Sequence, residues 1–410
     1  MWIRFLPLCI RTDSSLEKGI SIYSNESRVL DSTPRSVEGV CQSRIGLIGN
    51  PSDGYFGQTI SITLDNFATK VVLLQSDRLT IVPHPVSDPV NFQDIRGLHL
   101  LLQKNGYSGG IRLLYASLNS FYKYIMQQGI YINMQPFVIS YDTTIPREVG
   151  LSGSSSIIIA TLRALMKFYA IPVVLRSQIK WALNVETEEL GITAGLQDRV
   201  VQVLEGCIQM NFDKDSIEKT GNGIYSRVDV RLLPPLFMAY SAFPEEISTF
   251  FDPFGCEAAM EAGRPADSEA DGSISLGDGR WERRLNGTIA ALPAEFLESL
   301  ESRNEKKMMD CVNRNFDLRR EIWGDEALGG ENGANLQMIR IARKYGMAAK
   351  FCGSGGAIVI VPGFSYKEDV MEALEKEMKD NGFVMVKVHV HEPNWIVCWI
   401  RVRHWWSSVE

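Results

Sequence analysis

The 410-residue sequence lacks the patterns that mark several common protein classes. It has no uninterrupted apolar run of about 18 residues, because Arg163 and Lys167 break the longest candidate, so we expect no membrane span. Its seven cysteines form no CxxC pair and its five histidines show no HExxH spacing, which predicts reduced thiols and argues against a zinc site. A net charge of -7 disfavours nucleic-acid binding. We therefore expect a soluble, cytoplasmic protein.

Two widespread phosphate-transfer signatures are also missing. The chain has no GxxxxGK[ST] loop, and it lacks the HRD and DFG elements of protein kinases. It carries instead the segment from Gly150 to Ser156 (GLSGSSS), which follows a predicted strand at Ile132 to Tyr141 and leads into an apolar helical segment. Glycines let the backbone approach an anion closely, and the first turn of a helix offers unpaired N–H groups. The segment predicts a phosphate cradle, with an ordinary serine N-cap as the alternative.

Two further glycine-bearing loops flank this segment in the sequence. The first runs from Arg44 to Gly57 and contains Asp53, a suitable acceptor for sugar hydroxyls. The last runs from Lys350 to Ala357 (KFCGSGGA) and lies between a polar helix and an apolar strand. Taken singly, the first is typical of a strand with a tight turn and the last of a plain glycine turn.

In this order, the three loops resemble those of the GHMP kinase superfamily, which is named for galactokinase, homoserine kinase, mevalonate kinase and phosphomevalonate kinase. Within it, the segments Gly49 to Asp53, Ile145 to Ser155, Gly195 to Arg199 and Asn315 to Arg320 are similar to those of the plant-type glucuronokinases. The resemblance covers roughly residues 43 to 390. It implies an α+β, two-domain GHMP kinase fold with a ribosomal S5 domain 2-like N-terminal domain and a ferredoxin-like C-terminal domain.

The composition and the resemblance together predict the domain boundaries. Residues 1–42 are polar and lack a sustained period, which predicts a disordered extension outside the fold. The N-terminal kinase domain is then expected at 43–215 and the C-terminal domain at 216–390. A Gly/Ser/Asp-rich run at 262–280 predicts a solvated insertion, and 391–410 an atypical tail.

The resemblance implies ATP-dependent, Mg²⁺-requiring transfer of the γ-phosphoryl group to the anomeric hydroxyl of glucuronate, which would feed UDP-glucuronate synthesis. Two alternatives stay open: a kinase of the same fold for a neutral sugar such as fucose or a heptose, and a non-catalytic sensor of ATP and sugar. Residues 244–279 depart from the family pattern, which leaves open how the cleft closes over its substrate. The oligomeric state is also open.

By the same resemblance, Asp198 is the general base, and Arg44 keeps it ionised and offsets transition-state charge. Asp53 is expected to bind the sugar. A helix N-terminal aspartate and a solvated strand-start arginine are the simpler interpretations of Asp198 and Arg44. The expected ATP-binding residues are Pro146, Gly150, Leu151, Ser152, Gly153, Ser154, Ser155, Gly353, Gly355 and Gly356.

The Mg²⁺ ligands are expected to be the Ser154 hydroxyl and the carboxylate of Glu186, because magnesium prefers oxygen ligands. Glu188 and Glu189 are rivals of Glu186, and a run of acids is otherwise typical of a solvated helix face. The substrate carboxylate needs a cationic partner, for which the planar fork of arginine is suited. The candidates for this partner are Arg147, Arg199, Arg319 and Arg320. Arg199 is preferred because it adjoins the predicted base.

Overall fold

The computed structural model describes residues 34–85, 88, 109–192, 194–242 and 284–393, with the backbone alone at 284–286. The strands are β1 (Ser36–Ile48), β2 (Gln58–Gln75), β3 (Thr80–Ile81), β4 (Phe137–Thr143), β5 (Cys207–Asn211), β6 (Ile224–Arg227), β7 (Phe237–Ser241), β8 (Ala348–Phe351), β9 (Ala357–Val361) and β10 (Phe383–Lys387). The α-helices are α1 (Gly110–Gln128), α2 (Gly153–Phe168), α3 (Leu175–Asn184), α4 (Leu196–Leu204), α5 (Lys214–Thr220), α6 (Ala290–Glu301), α7 (Glu305–Trp323), α8 (Ala334–Lys344) and α9 (Glu368–Asp380).

The first sheet is organised around β2. This long strand pairs antiparallel with β1 along its length, while its first half also pairs with β5 and its second half with β4. β3 adds to β4 in parallel, and β6 adds to β5. Helices α1 to α4 cover the sheet, and their apolar side chains form one core with those of β2 and β4. The apolar α2 lies against β1, so its N-terminus and the preceding loop come to one end of the sheet.

The second sheet is antiparallel, in the order β10-β7-β9-β8. One side packs with α7, α8 and α9, and the other shares a core with α6, α7, the second half of β1 and the first half of β2. β9 is buried throughout because both of its faces are covered. Helix α7 contributes to both cores, with Val312 in one and Phe316 in the other, and it contacts β8 of the second sheet and β1 of the first.

The predicted order of strand, glycine loop and helix is confirmed by β4, the loop at residues 144–152 and α2. The predicted start of ordered structure at Ser43 is wrong. β1 begins at Ser36, and Ser36 to Gln42 pair with Leu74 to Ala68 of β2. These residues have little apolar periodicity, but a long partner strand satisfies their backbone groups.

The other predicted boundaries are only partly covered by the described residues. β6 lies beyond residue 215 and pairs with β5, so the first sheet continues past the predicted domain boundary, whose exact position stays a prediction. The start of the predicted tail is attached to the first sheet, because His391 donates its backbone N–H to Thr63. Residues 1–33, the predicted insertion at 262–280 and residues 394–410 lie outside the described part. No helix in the described ranges is long and apolar enough to cross a membrane.

We predict that Gly39→Ala destabilises the fold, although Gly39 lies in the segment predicted to be outside it. An added Cβ would lie 2.0 Å from the carbonyl oxygen of Ala160 and 2.7 Å from the amide nitrogen of Ala164, both in α2. Overpacking against backbone that cannot rotate away should cost about 3 kcal/mol. Urea unfolding measures the loss.

Gly287→Ala is the matched control, because a Cβ there meets nothing within 4 Å. Equal stabilities of the two variants would mean that β1 does not pack on α2 before residue 43.

Candidate active site

Arg44 and Asp198 form a two-bond ion pair between β1 and α4. Arg44 donates from Nε to Asp198 Oδ1 at 2.6 Å and from Nη2 to Oδ2 at 3.0 Å. Its Nη1 donates to the carbonyl oxygen of Gly150 at 2.5 Å. The arginine side chain is only 7% exposed, so it is not the solvated strand-start residue of the simpler interpretation. One guanidinium thus connects a strand, a helix and the middle glycine loop.

The loop before α2 turns toward this ion pair. Ser152 has a left-handed backbone (φ 63°), and its hydroxyl donates to Asp198 Oδ2 at 2.6 Å. Gly150 also has a positive φ of 69°, and a Cβ there would lie 2.5 Å from the carbonyl oxygen of Gly355. The middle and last glycine loops are therefore in contact, and glycine is required where they meet.

The remaining serines of this loop have different surroundings. Ser155 is buried and donates its hydroxyl to Gln202 Oε1 at 2.6 Å, which removes that hydroxyl from the predicted cradle. Ser156 donates to the carbonyl oxygen of Gly153, as a residue in the first helical turn commonly does. Ser154 contacts the other predicted metal ligand, because its hydroxyl donates to Glu186 Oε1 at 2.9 Å.

The three acidic residues that are candidate metal ligands have different surroundings in the structure. Glu186 is 1% exposed and lies against Ser154. Glu189 instead accepts bonds from Asn119 and Lys123, which lower the pKa of its carboxyl, and Glu188 is exposed. All three lie in a π-helical turn, Val185–Glu189, that continues α3. Of these acids, only Glu186 meets the predicted serine ligand.

Arg199 lies between the two acidic groups of the site. It forms an ion pair with Glu186, and its Nη1 lies 3.7 Å from Asp198 Oδ2. Nη1 also donates to the carbonyl oxygen of Gly195 at 2.9 Å, while the buried Nε–H has no hydrogen-bond partner among the described residues. Burial, with Arg44 adding to it, lowers the pKa of Arg199 to about 9. An additional anion near Arg199 would offset both the lost hydration of the buried guanidinium and its repulsion by Arg44.

The other arginine candidates are engaged elsewhere or lie at the surface. Arg319 donates to the carbonyl oxygens of Gly353 and Ser354. Arg320 pairs with Asp325 on the surface. The side chain of Arg147 is 44% exposed and lies 4.0 Å from Glu148.

Asp53 lies on the same side of the site as Asp198. It belongs to a 3₁₀ turn, Ser52–Tyr55, and its Oδ2 would lie 3.1 Å from a Cβ on Gly195, which leaves little room for a side chain there. Burial, reinforced by the nearby charge of Asp198, raises the pKa of Asp53 to about 6. The first loop therefore brings a second carboxyl group, one with a raised pKa, close to the predicted base.

Three residues that received no predicted role hold the loops together. Asn315 accepts from Gly49 N at 2.8 Å and donates to the carbonyl oxygen of Asn50 at 3.0 Å. Asn335 accepts from Gly356 N at 2.7 Å. Lys350 donates to Gly46 O and to Asn50 Oδ1, although it is buried. The signal for Lys350 was a single lysine inside an otherwise apolar strand.

Comparison with solved structures shows the fold. The mevalonate kinase of Methanococcus jannaschii superposes with a TM-score of 0.60, 15% identity, and coverage of 88% of this chain and 100% of that one. Galactokinase of Lactococcus lactis, solved with galactose, superposes with a TM-score of 0.61 and 12% identity, and the match covers 87% of this chain and 94% of that one. A Listeria innocua protein superposes with a TM-score of 0.64 and 14% identity, and the match covers 87% of this chain and 98% of that one. The GHMP kinases N terminal domain model matches residues 113–206. The fold is therefore that of the GHMP kinases, as predicted.

Two relatives of higher sequence identity show which family of GHMP kinases the chain belongs to. Glucuronokinase 1 of Arabidopsis thaliana is 38% identical over 349 residues, which are 85% of this chain and 90% of that protein. Probable glucuronokinase 2 of the same plant is 40% identical over 348 residues, which are 84% and 89% of the two chains. The chain belongs to the glucuronokinase family of GHMP kinases.

We predict that Asp53→Asn increases stability at neutral pH. The folded pKa of about 6 exceeds the ordinary 3.8, so the folded chain binds this proton more tightly than the unfolded chain does. The contribution of Asp53 to stability is then fully present below pH 3.8 and is lost as the pH rises through about 6. Removing the charge should stabilise the fold by about 1–2 kcal/mol above that pH.

Urea unfolding of wild type and variant on both sides of this range measures the effect, with the exposed Asp77→Asn as the control. The same pH dependence in wild type and Asp53→Asn would contradict the assignment.

Proposed function

We propose that this chain is an ATP-dependent kinase that phosphorylates the anomeric hydroxyl of D-glucuronate to give D-glucuronate 1-phosphate. The observation that carries the proposal is the Asp198 carboxylate, held by Arg44 and Ser152 beside the loop at 150–154. The two Arabidopsis glucuronokinases that resemble the chain over most of its length support the substrate.

Asp198 is oriented to accept a proton. Its Oδ2 accepts hydrogen bonds from Arg44 and Ser152, whereas its Oδ1 accepts one from Arg44. A carboxylate oxygen has two acceptor positions, so Oδ1 retains one for a substrate hydroxyl. In this role the carboxylate takes the hydroxyl proton as the new P–O bond forms and the bond from the γ-phosphorus to the leaving ADP breaks. Arg44 holds that carboxylate in place and contributes positive charge next to the reacting group.

The residues near Ser154 fit a magnesium ion. A hydroxyl and a carboxylate lie 2.9 Å apart at the start of α2, and both offer the oxygen atoms that Mg²⁺ prefers. Mg²⁺ typically uses one or two protein ligands together with phosphate oxygens. Ser154 and Glu186 would hold the ion, and bound Mg·ATP supplies the transferred phosphoryl group and part of the charge compensation.

The glycine loops fit a polyphosphate. A Cβ on Gly353 would lie 2.4 Å from the carbonyl oxygen of Gly150 and 2.9 Å from Arg44 Nη1, so bulk is excluded at this point. The first N–H groups of α2 are directed out of the helix N-terminus, where they and the helix dipole favour an anion. Gly150 and Ser152 to Ser154 bring these groups next to Asp198, which is the arrangement that in-line transfer requires.

Arg199 is our choice for the partner of the substrate carboxylate. Its neighbour in the chain is the base, and its buried Nε–H lacks a partner among the described residues. Its current partner is Glu186, the proposed metal ligand. A cation at Glu186 would weaken that ion pair and make the guanidinium available for an anionic substrate.

We predict that Asp198→Asn lowers kcat by about 100-fold or more, because it removes the proton acceptor from the transition state. The affinity for Mg·ATP, measured by calorimetry, should change by less than about threefold, since Asp198 makes no proposed phosphate contact. Asp215→Asn, which alters an exposed ion pair with Lys219, is the control and should leave both quantities unchanged. Retained turnover in Asp198→Asn would exclude this residue as the base.

A substrate panel tests the activity itself. Purified protein incubated with ATP, Mg²⁺ and glucuronate should release ADP and form a sugar 1-phosphate. The value of kcat/KM for glucose, galactose and fucose should be lower than that for glucuronate by at least about 100-fold. The carboxylate accounts for this difference, because Arg199, once a cation at Glu186 has weakened their ion pair, would lack an anionic partner beside a neutral sugar. Turnover of a neutral sugar alone would favour the alternative kinase, and nucleotide binding without turnover of any sugar would favour a sensor.

A further inference from the structure

Arg319 on α7 binds the backbone of the last glycine loop with both terminal nitrogens. Nη1 donates to the carbonyl oxygen of Gly353 at 2.7 Å, and Nη2 to that of Ser354 at 2.9 Å. The guanidinium also lies 5.2 Å from the ring centre of Phe351. It is thus fixed against the ring as well as by the hydrogen bonds. The two carbonyl groups are both turned toward α7.

The two preceding carbonyl groups also face cations. Lys350 Nζ donates to the carbonyl oxygen of Phe351 at 2.7 Å. Arg44 Nη1 lies 3.5 Å from the carbonyl oxygen of Cys352, which also accepts from Gly46 N at 2.7 Å. Four successive carbonyl oxygens, those of residues 351–354, therefore accept from Lys350, Arg44 or Arg319.

This orientation of the carbonyl groups fixes the direction of the N–H groups. In a planar trans peptide the N–H points away from the C=O of the preceding residue. The N–H groups of Gly353, Ser354 and Gly355 must therefore point away from the cations, and within the described ranges none of the three has a hydrogen-bond partner. The next one, that of Gly356, is satisfied by Asn335.

The loop lies where the triphosphate is proposed to bind. Gly353 and Gly355 touch Gly150 so closely that a side chain on either loop would collide with the other. The N–H groups of Gly353, Ser354 and Gly355 thus belong to the surroundings of the loop that leads to Ser154. Three adjacent N–H groups that lack a partner in the described part of the chain offer hydrogen-bond donors of the kind that bind phosphate oxygens.

The electrostatics favour an anion at the same place. Burial, opposed by Cys352 and assisted by the charges of Arg319 and Arg44, lowers the pKa of Lys350 to about 7. Burial of a lysine among other cations is unfavourable unless negative charge is supplied nearby. A phosphate group against this loop would supply it.

We propose that Arg319 is a positioning residue that turns the carbonyl groups of Gly353 and Ser354 away from bound ATP, so that the N–H groups of Ser354 and Gly355 face its phosphates. The inference rests on the proposed function for the identity of the anion. It assigns the contact to backbone N–H groups and the control of their direction to one side chain, Arg319, that does not itself touch the nucleotide.

Arg319→Met tests the proposal, with Arg314→Met on the exposed side of the same helix as the control. Calorimetry without sugar gives the affinities for Mg-adenylyl imidodiphosphate and for AMP. In Arg319→Met the triphosphate analogue should bind about tenfold more weakly, and AMP should change by less than about twofold, because the lost orientation affects phosphate contacts alone. The affinity for glucuronate should stay at the wild-type value. Arg314→Met should match wild type in all three measurements.

Arg319→Lys is the second variant and decides the matter if Arg319→Met does not fold. A lysine keeps the charge but cannot hold both carbonyl groups in one planar fork, so the ratio of the two nucleotide affinities should fall by about threefold. An unchanged ratio, or an equal loss for both nucleotides, would overturn the proposal, because a general loss of structure would weaken both.

The test is independent of turnover. A protein that shows the predicted nucleotide affinities but phosphorylates no glucuronate would contradict the proposed function and leave the loop assignment intact. A protein that phosphorylates glucuronate while Arg319→Lys binds both nucleotides as wild type does would contradict the loop assignment alone.

Discussion

The ion pair between Arg44 and Asp198 is the interaction on which the geometry of the site depends. The Arg44 side chain, on β1, donates two hydrogen bonds to Asp198 on α4 and one from its remaining nitrogen to the carbonyl oxygen of Gly150. Because the donors of a guanidinium have fixed directions in one plane, these bonds set the distance and the angle between a strand, a helix and a loop together. A flexible ammonium group could not impose the same orientation on all three partners.

Helix α7 extends this control to the outer loops. Asn315 binds the turn at Gly49 and Asn50, and one turn further along, Arg319 binds Gly353 and Ser354. The helix packs against β8 and contributes to two cores, so the relation between the loop at residues 49–57 and the last glycine loop is set by its position in the core. Changes in the packing of α7 are therefore expected to reach both substrates, although the helix contributes no residue to the chemistry.

The parts of the site that could be predicted are those with a local or family signature. The loop at 150–156 has glycines and serines before an apolar segment, and the structure has a helix starting at Gly153. Residues that hold the loops through long-range hydrogen bonds were missed. Lys350 begins the last glycine loop but received no predicted role, because its bonds to Gly46 and Asn50 span some 300 positions of the sequence. The start of β1 at Ser36 was missed because strand pairing with β2, rather than side-chain pattern, orders those residues.

The sequence by itself indicated the class of the protein through the resemblance of three glycine loops, in a fixed order, to those of the GHMP kinases. Gly150, Gly355 and Gly356 in these loops have positive φ, a backbone conformation that few other residues allow. The sequence also supplied the acid and the arginine at the centre of the site. Tertiary structure alone decided which acid meets Ser154 and which arginines are already bound. A π-helical turn shifts side chains around the helix axis, so Glu186 faces α2 while Glu189 turns to Lys123. Which groups meet depends on the direction of each side chain and on partners far away in the sequence. The spacing of residues along the chain carries no information about either.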